Sequence, residues 1–213
     1  MTTSSKNPHL PRWLEWAREI QALAQTGLAY SASVHDTQRY RRLMEIAAKI
    51  MESHTGLAKE PVLNHFMAQP GYATAKVDVR GAVVRDEKIL LVQERSDLHW
   101  SMPGGWADVG EYPSEMVKRE VWEESGFDVV PQKVIGVYDA NRSGRPLHFY
   151  HAYKVVFLCR VVGGASRPSD ETMAVDFFSF DNLPPLSTNR THIRHLQEVL
   201  AHLKDPRRPA AFD

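Results

Sequence analysis

Between Gly104 and Phe127, the sequence combines a glycine pair with three closely spaced glutamates, and this segment constrains the fold more than any other. The glutamates are Glu120, Glu123 and Glu124. On a helix, which turns by about 100° per residue, they occupy an arc of roughly 100°. Neighbouring like charges destabilise a helix by about 0.2–0.5 kcal/mol per pair. Three carboxylates on one narrow face therefore predict a cation in front of them, and oxygen ligands favour Mg²⁺ or Mn²⁺.

Local signals place these glutamates on one helix. Pro113 suits the first turn of a helix, and Gly126 suits the position just past its end. Between them, Met116, Val117 and Val121 form an apolar stripe beside the glutamates. The segment is therefore predicted to be an amphipathic helix that packs this stripe on a core and keeps its carboxylates at a site.

The spacing of the fixed residues resembles the Nudix box at every defining position. These positions are Gly105, Glu111, Arg119, Glu120, Val121, Glu123, Glu124, Gly126 and Phe127. The resemblance implies a Nudix hydrolase, which uses bound Mg²⁺ (or Mn²⁺) to hydrolyse the diphosphate of a nucleoside diphosphate joined to a group X. For any one of these glutamates alone, a solvated helix surface is the alternative interpretation.

The same resemblance implies roles for individual residues. Metal ligands are expected to be Glu120, Glu124, Glu123, the carbonyl of Gly104, and Glu111. Arg119 is expected to orient and neutralise a neighbouring glutamate through charge-assisted hydrogen bonds. The catalytic base stays open between Glu123, Glu171 and Asp170, and an ordinary surface loop is an equally open interpretation of Glu171.

Substrate contacts are predicted less specifically. Arg142 and Arg145 lie in a polar loop where a guanidinium would meet phosphate. His148 and Tyr150 follow that loop, and Trp106 follows the glycine pair. Aromatic rings, also including Trp100 and Phe149, are candidates for stacking on a base or contacting a choline-type cation. A plain hairpin loop and simple core packing are the alternatives.

Composition excludes several classes of function. The chain has 213 residues, enough for one ordinary domain and a small one. Lys and Arg number 26, as do Asp and Glu, so duplex nucleic acid is not an expected partner. Cys159 is the only cysteine, which excludes an intramolecular disulfide. The sequence starts without a signal-peptide pattern and contains no run of transmembrane length, so we expect a cytoplasmic protein that is not bound to a membrane.

The hydrophobic pattern changes from helical periodicity to strand alternation at Gln69-Pro70-Gly71. This break divides a helical domain (1–70) from a Nudix domain (71–213). The first helix is predicted from Pro11 to Gly27, the second with Asp36 as N-cap, and a third near Glu60. The later elements are predicted as strands Val77–Arg85, Lys88–Glu94, Val134–Tyr138, Tyr153–Val162 and Val175–Ser179, and a helix over 189–203. The fold class is α+β, an α/β/α sandwich with a mixed sheet, which is also the Nudix fold.

A second resemblance concerns residues 13–30, which are similar to the helical extension of certain bacterial Nudix enzymes described as ADP-ribose or CDP-choline pyrophosphatases. Many ADP-ribose enzymes carry a proline sixteen residues after the box, where this chain has Ser143. CDP-choline is therefore the favoured substrate, with ADP-ribose as the alternative and a non-catalytic nucleotide sensor as a further one. The apolar stripe at Trp13 and Trp16 predicts a homodimer and a wall of the substrate pocket.

Overall fold

The computed structural model describes residues 11–140 and 149–213. These residues form two compact units. The helical unit comprises residues 11–75 with 149–151, and the sheet unit comprises residues 76–140 with 152–213. No helix in the described ranges is long and apolar enough to cross a membrane.

Three helices build the helical unit: α1 (Arg12–Tyr30), α2 (Val34–Thr55) and α3 (Lys59–Met67). The prediction that Gly27 ends α1 is wrong by three residues. Gly27 lies inside α1, and an added Cβ there would lie 2.3 Å from the ring of Tyr40. Close packing of that ring, not the end of a helix, therefore explains the glycine. Asp36 is not the N-cap of α2 either. Ser33 fills that position, and its hydroxyl accepts a hydrogen bond from the Asp36 amide.

The apolar faces of these helices meet in one core, which contains Leu14, Ala17, Ala24, Met44, Ala47, Ala48, Met51, Val62 and Phe66. Phe149 stacks on Phe66 with ring centroids 4.5 Å apart, so this predicted stacking residue is occupied by packing. Trp13 stacks on His54 within the unit, whereas Trp16 remains 51% exposed. The predicted tryptophan stripe is therefore divided between core and surface.

The sheet unit follows the predicted order of strands with one helix in the middle and one near the end. Its elements are β1 (Lys76–Arg85), β2 (Lys88–Glu94), β3 (Trp100–Ser101), α4 (Pro113–Ser125), β4 (Phe127–Asp139), β5 (Ala152–Gly164), β6 (Thr172–Ser179), α5 (Ile193–Lys204) and β7 (Ala211–Phe212). The strand order is β3-β2-β1-β5-β4-β7, and β6 also pairs with β2. Because β1 and β5 are parallel while β4 and β5 are antiparallel, the sheet is mixed, as predicted.

The two faces of the sheet are covered by different helices, which confirms the predicted sandwich. Val79 and Val83 of β1 belong to the core that contains the apolar stripe of α4. Ala82, on the opposite face of the same strand, belongs to the core with Leu196 and Val199 of α5. The alternation along β1 therefore decides which side chains point toward which helix.

Several predicted boundaries are corrected. Strand β4 starts at Phe127 instead of Val134, because a proline and three register irregularities interrupt its alternating pattern. Strand β6 starts three residues early, at Thr172, and α5 starts at Ile193, where His192 caps it. Strands β3 and β7 were not predicted, since two residues carry no readable alternation. Trp100 of β3 packs edge-on against Phe178 in the core, so it is not a free stacking platform.

Candidate active site

The glycine pair lies directly on strand β1. The amide of Val79 donates to the carbonyl of Gly105 at 2.9 Å, and the amide of Gly81 donates to the carbonyl of Pro103 at 2.8 Å. Gly104 has a φ of +142°, and a Cβ there would lie 2.0 Å from the carbonyl oxygen of Val79. Only glycine fits this position, because both the backbone angle and the close approach exclude a side chain.

Glu124 joins helix α4 to this glycine turn. Its Oε2 accepts a hydrogen bond from the amide of Gly104 at 2.9 Å, and the residue is only 7% exposed. Burial raises the pKa of Glu124 to about 8, although the charge of Arg80 and the Gly104 hydrogen bond both oppose that shift. In the metal-free protein, this carboxyl group is therefore buried without enough positive charge to keep it ionised at neutral pH.

Arg119 lies at the centre of four carboxylates. Its guanidinium donates to Glu111 at 2.8 and 2.9 Å, to Glu123 at 2.8 Å, to Glu120 at 3.0 Å and to Asp108 at 3.2 Å. The hydrogen bond from Arg119 lowers the pKa of Glu111. Three predicted site residues are thus brought together, whereas Asp108 was not predicted. It lies in the loop between the glycine pair and Glu111, outside the fixed positions of the box.

Glu120 lies beside the second glycine of the turn. A Cβ added to Gly105 would lie 2.8 Å from Oε2 of Glu120, so the missing side chain leaves room for this carboxylate. Burial raises the pKa of Glu120, with the charge of Arg119 acting in the opposite direction. Glu120 and Glu124 therefore place carboxylate oxygens beside the two adjacent glycines.

The donor chemistry of this region fits a divalent cation. Within the described ranges, no three His, Cys, Asp or Glu side chains are already arranged as a metal site. Three of the predicted ligands, Glu111, Glu120 and Glu123, instead form ion pairs with the guanidinium of Arg119. The turn still presents hard oxygen donors, and the buried carboxyl of Glu124 forms no ion pair with a described residue. A cation here would offset the cost of burying that charge.

Glu171 and Asp170 lie in the loop before β6. The hydroxyl of Thr172 donates to the backbone carbonyl of Glu124 at 2.9 Å, which fixes this loop at the end of α4. Arg95 donates hydrogen bonds to two carbonyls of this loop, from its backbone amide to Glu171 and from Nε to Asp170, each at 3.0 Å. The carboxylate of Glu171 is exposed and contacts no described residue by hydrogen bond or ion pair. Its role as base remains a prediction.

The predicted substrate contacts fall into three groups. Arg142, Arg145 and His148 lie outside the described residues. Trp106 is half exposed, and its backbone forms an antiparallel bridge with Asp78 of β1. Tyr150 belongs to the helical unit, where its hydroxyl accepts a hydrogen bond from Nε2 of Gln69 at 2.9 Å. Of the two described residues in this set, Trp106 is therefore the one on a segment adjoining the glycine turn.

A buried ion-pair group near the turn was not predicted. Asp78 accepts from Nε of Arg80 at 3.0 Å and pairs with Nζ of Lys154 at 2.7 Å, and all three residues are buried. Burial lowers the pKa of Lys154 to about 8, against the opposing charge of Asp78. The signal in the sequence is the pair of charges at alternate positions, Asp78 and Arg80, among the apolar residues in the middle of a strand.

Comparison with family models adds two matches. A model described as "NUDIX domain" matches residues 75–199. A model described as "UDP-X-like, N-terminal oligomerisation domain" matches residues 11–66. Together they account for both the sheet unit and the three helices before it.

Curated relatives and solved structures agree with these models. "Putative ADP-ribose pyrophosphatase YjhB" of Bacillus subtilis is 39% identical over 202 residues, covering 95% of this chain and 97% of the relative. The crystal structure of a UDP-X diphosphatase is 29% identical, with a TM-score of 0.61, and covers 95% of this chain and 98% of that one. The crystal structure of an ADP-ribose pyrophosphatase from Streptococcus suis is 39% identical, with a TM-score of 0.60. The match covers 66% of this chain and 100% of that one.

Proposed function

The chain belongs to the Nudix hydrolase family, and we propose that it is a Mg²⁺- or Mn²⁺-dependent pyrophosphohydrolase of a nucleoside diphosphate joined to a group X. The observation that carries this proposal is the contact between the buried carboxyl of Glu124 and the amide of Gly104. It fixes one carboxylate beside a glycine turn whose shape excludes side chains. A helix face used only for packing has no need of a buried, unpaired acid.

The proposed site residues have two roles, binding the cation and orienting its ligands. Glu120, Glu124, Glu123, Glu111 and the carbonyl of Gly104 are the proposed ligands of the cation. A bound divalent cation lowers the pKa of a coordinated water and stabilises the charge of the diphosphate. Arg119, which already bonds three of these glutamates, keeps their carboxylates oriented when the cation enters.

The proton of the attacking water has two proposed acceptors. Glu123 on α4 is also a proposed ligand; Arg119 binds its Oε2 at 2.8 Å, and the half-exposed side chain leaves Oε1 as the proposed proton acceptor. Glu171 lies on the loop attached to the end of that helix and has a free carboxylate among the described residues. Both are carboxylates, which can accept a proton from a water molecule within hydrogen-bond reach.

The proposed substrates are ADP-ribose first and CDP-choline second. ADP-ribose is supported by the names of the relatives from Bacillus subtilis and Streptococcus suis, and its hydrolysis would give AMP and ribose 5-phosphate. CDP-choline, which would give CMP and phosphocholine, is supported by Ser143 at the position where many ADP-ribose enzymes carry proline. Substrate choice thus depends on groups beyond the shared diphosphate.

A substrate panel tests both the reaction and the preference. We expect the purified chain to hydrolyse ADP-ribose with a higher kcat/KM than CDP-choline, UDP-sugars or dinucleoside polyphosphates, in Mg²⁺ or Mn²⁺ and not in chelator. Chromatography of the nucleoside monophosphate released measures each rate. Nucleotide binding without turnover of any compound in either metal would instead establish a non-catalytic sensor.

We also propose that the helical unit forms a homodimer. The support is the matched oligomerisation model and a row of apolar side chains on α1: Trp16 is 51% exposed, Leu23 61% and Tyr30 74%. These positions are seven residues apart, so they share one face of the helix. Such a row exposed to water favours association.

Light scattering at micromolar concentration tests this assembly. The unchanged chain is expected to have the mass of a dimer, and the Leu23→Glu variant that of a monomer, because the charge would be buried at the interface. Leu98→Glu, the same change at a 59% exposed leucine of the sheet unit, is the matched control and is expected to leave the dimer intact. A monomeric mass for the unchanged chain contradicts the proposal.

A further inference from the structure

We propose that Arg80 is a positioning residue, which fixes the glycine turn and the carboxylate of Glu124 through a buried ionic network. The inference deepens the proposed function and rests on it, since it concerns how the same site is built. The buried ionic network is defined here as Asp78, Arg80, Glu94, Lys154 and Arg190. None of these residues belongs to the fixed positions of the box.

The network is continuous from strand to strand. Asp78 binds both Arg80 and Lys154, and Nζ of Lys154 also donates to the backbone carbonyl of Arg190. The side chain of Arg190 in turn pairs with Glu94 at 3.2 Å. Arg190 also lies 3.9 Å from Asp97, so three acids face the three cations. Burial raises the pKa of the nearby Glu124, and the charge of Arg80 opposes that shift.

Arg80 also holds the main chain of the turn. Nε of its guanidinium donates to Asp78, and Nη1 donates to the carbonyl of Met102 at 3.2 Å. The amide of Met102 donates to the hydroxyl of Thr191 at 2.8 Å. Both polar groups of this residue are thus bound by buried side chains, two positions before the glycine whose amide holds Glu124. A displacement at Met102 would therefore be transmitted to the carboxylate.

Stability alone does not account for such a network. Burying charges costs free energy, and buried ion pairs can often be replaced by apolar side chains without loss of stability. The planar guanidinium has a property that an apolar chain lacks, because its fork bonds a carboxylate and a carbonyl in fixed directions at once. Lysine keeps the positive charge but presents a single compact ammonium. Arg80→Lys therefore removes the fixed directions of the two hydrogen bonds while retaining the charge.

The test measures Mn²⁺ affinity by electron paramagnetic resonance, together with kcat, KM and Tm, for the full chain. Arg80→Lys is expected to remain folded, to bind Mn²⁺ about tenfold more weakly and to lose about 10–100-fold in kcat, with KM changed less, as for residues that orient metal ligands. Arg208→Lys is the matched control, because Arg208 pairs with Glu198 outside the network. This control is expected to match the unchanged chain.

Wild-type Mn²⁺ affinity and kcat in Arg80→Lys would overturn the positioning role. Should that variant fail to fold, the positioning role is tested with Thr191→Val, which removes only the hydroxyl that accepts a hydrogen bond from the Met102 amide. Weakened Mn²⁺ affinity in a folded Thr191→Val supports the role, and unchanged affinity overturns it. Failure of the proposed function has a different signature: the unchanged chain would bind Mn²⁺ and hydrolyse no substrate, while the affinity comparison would still report on Arg80.

Discussion

Replacing Glu124 by glutamine is expected to lower kcat by at least about 10²–10³-fold, the range seen when one preorganised electrostatic group is removed from an active site. Glutamine has nearly the same shape and retains an oxygen that can accept the Gly104 hydrogen bond. In the metal-free protein, burial keeps the pKa of Glu124 at about 8, so the unchanged side chain is mostly neutral at pH 7. The fold of the protein should therefore tolerate glutamine at this position.

Thermal unfolding with and without metal distinguishes loss of a metal-binding side chain from loss of the fold. The unchanged chain is expected to gain Tm in Mg²⁺ or Mn²⁺, because a ligand of the native state stabilises it by mass action. Glu124→Gln should show the same metal-free Tm and little gain. Glu115→Gln, an exposed site on the same helix paired with Lys118, should behave as the unchanged chain in both respects. Full activity of Glu124→Gln in saturating Mg²⁺ would remove Glu124 from the proposed site.

Helix α4 shows what the sequence reveals well. Pro113 lies in its first turn, and Gly126 caps its end with a φ of +78°, as the local pattern predicted. Each of these signals depends on the backbone of a few neighbouring residues. The cluster around Arg119 is predictable for the same reason, since Glu120 and Glu123 lie within four residues of it on one helix.

The buried ionic network shows what one sequence does not reveal. Asp78 meets Lys154 because β1 and β5 are parallel neighbours in a register that places these two residues opposite each other. That register is set by the packing of both sheet faces, not by any local pattern. Two charges in a strand indicate an unusual position, but Lys154, the partner of Asp78 on β5, is more than seventy residues away along the chain. The position of Tyr150 in the helical unit is non-local in the same way.

Asp78→Asn is expected to destabilise the sheet unit by about 3–5 kcal/mol at pH 7, the cost of leaving buried charges without their partner. The amide keeps the shape of the side chain but removes the charge between Arg80 and Lys154. Burial already lowers the pKa of Lys154 to about 8, and losing Asp78 lowers it further, so this amine loses its proton near neutral pH. Urea unfolding followed by circular dichroism measures the change.

The pH dependence of Asp78→Asn identifies the cause. Because the pKa of Lys154 in the folded variant falls further below its unfolded value, the native state binds fewer protons there than the unfolded chain. The stability deficit relative to the unchanged chain should therefore grow as the pH falls from about 8, where Lys154 of the unchanged chain takes up its proton, toward the lower folded pKa of the variant. The variant with Asp78→Leu, Arg80→Met and Lys154→Met together should recover much of the lost stability, since no charge stays buried unpaired. A pH-independent deficit would mean that Asp78 stabilises the strand through its shape and hydrogen bonds, and that Lys154 stays charged without it.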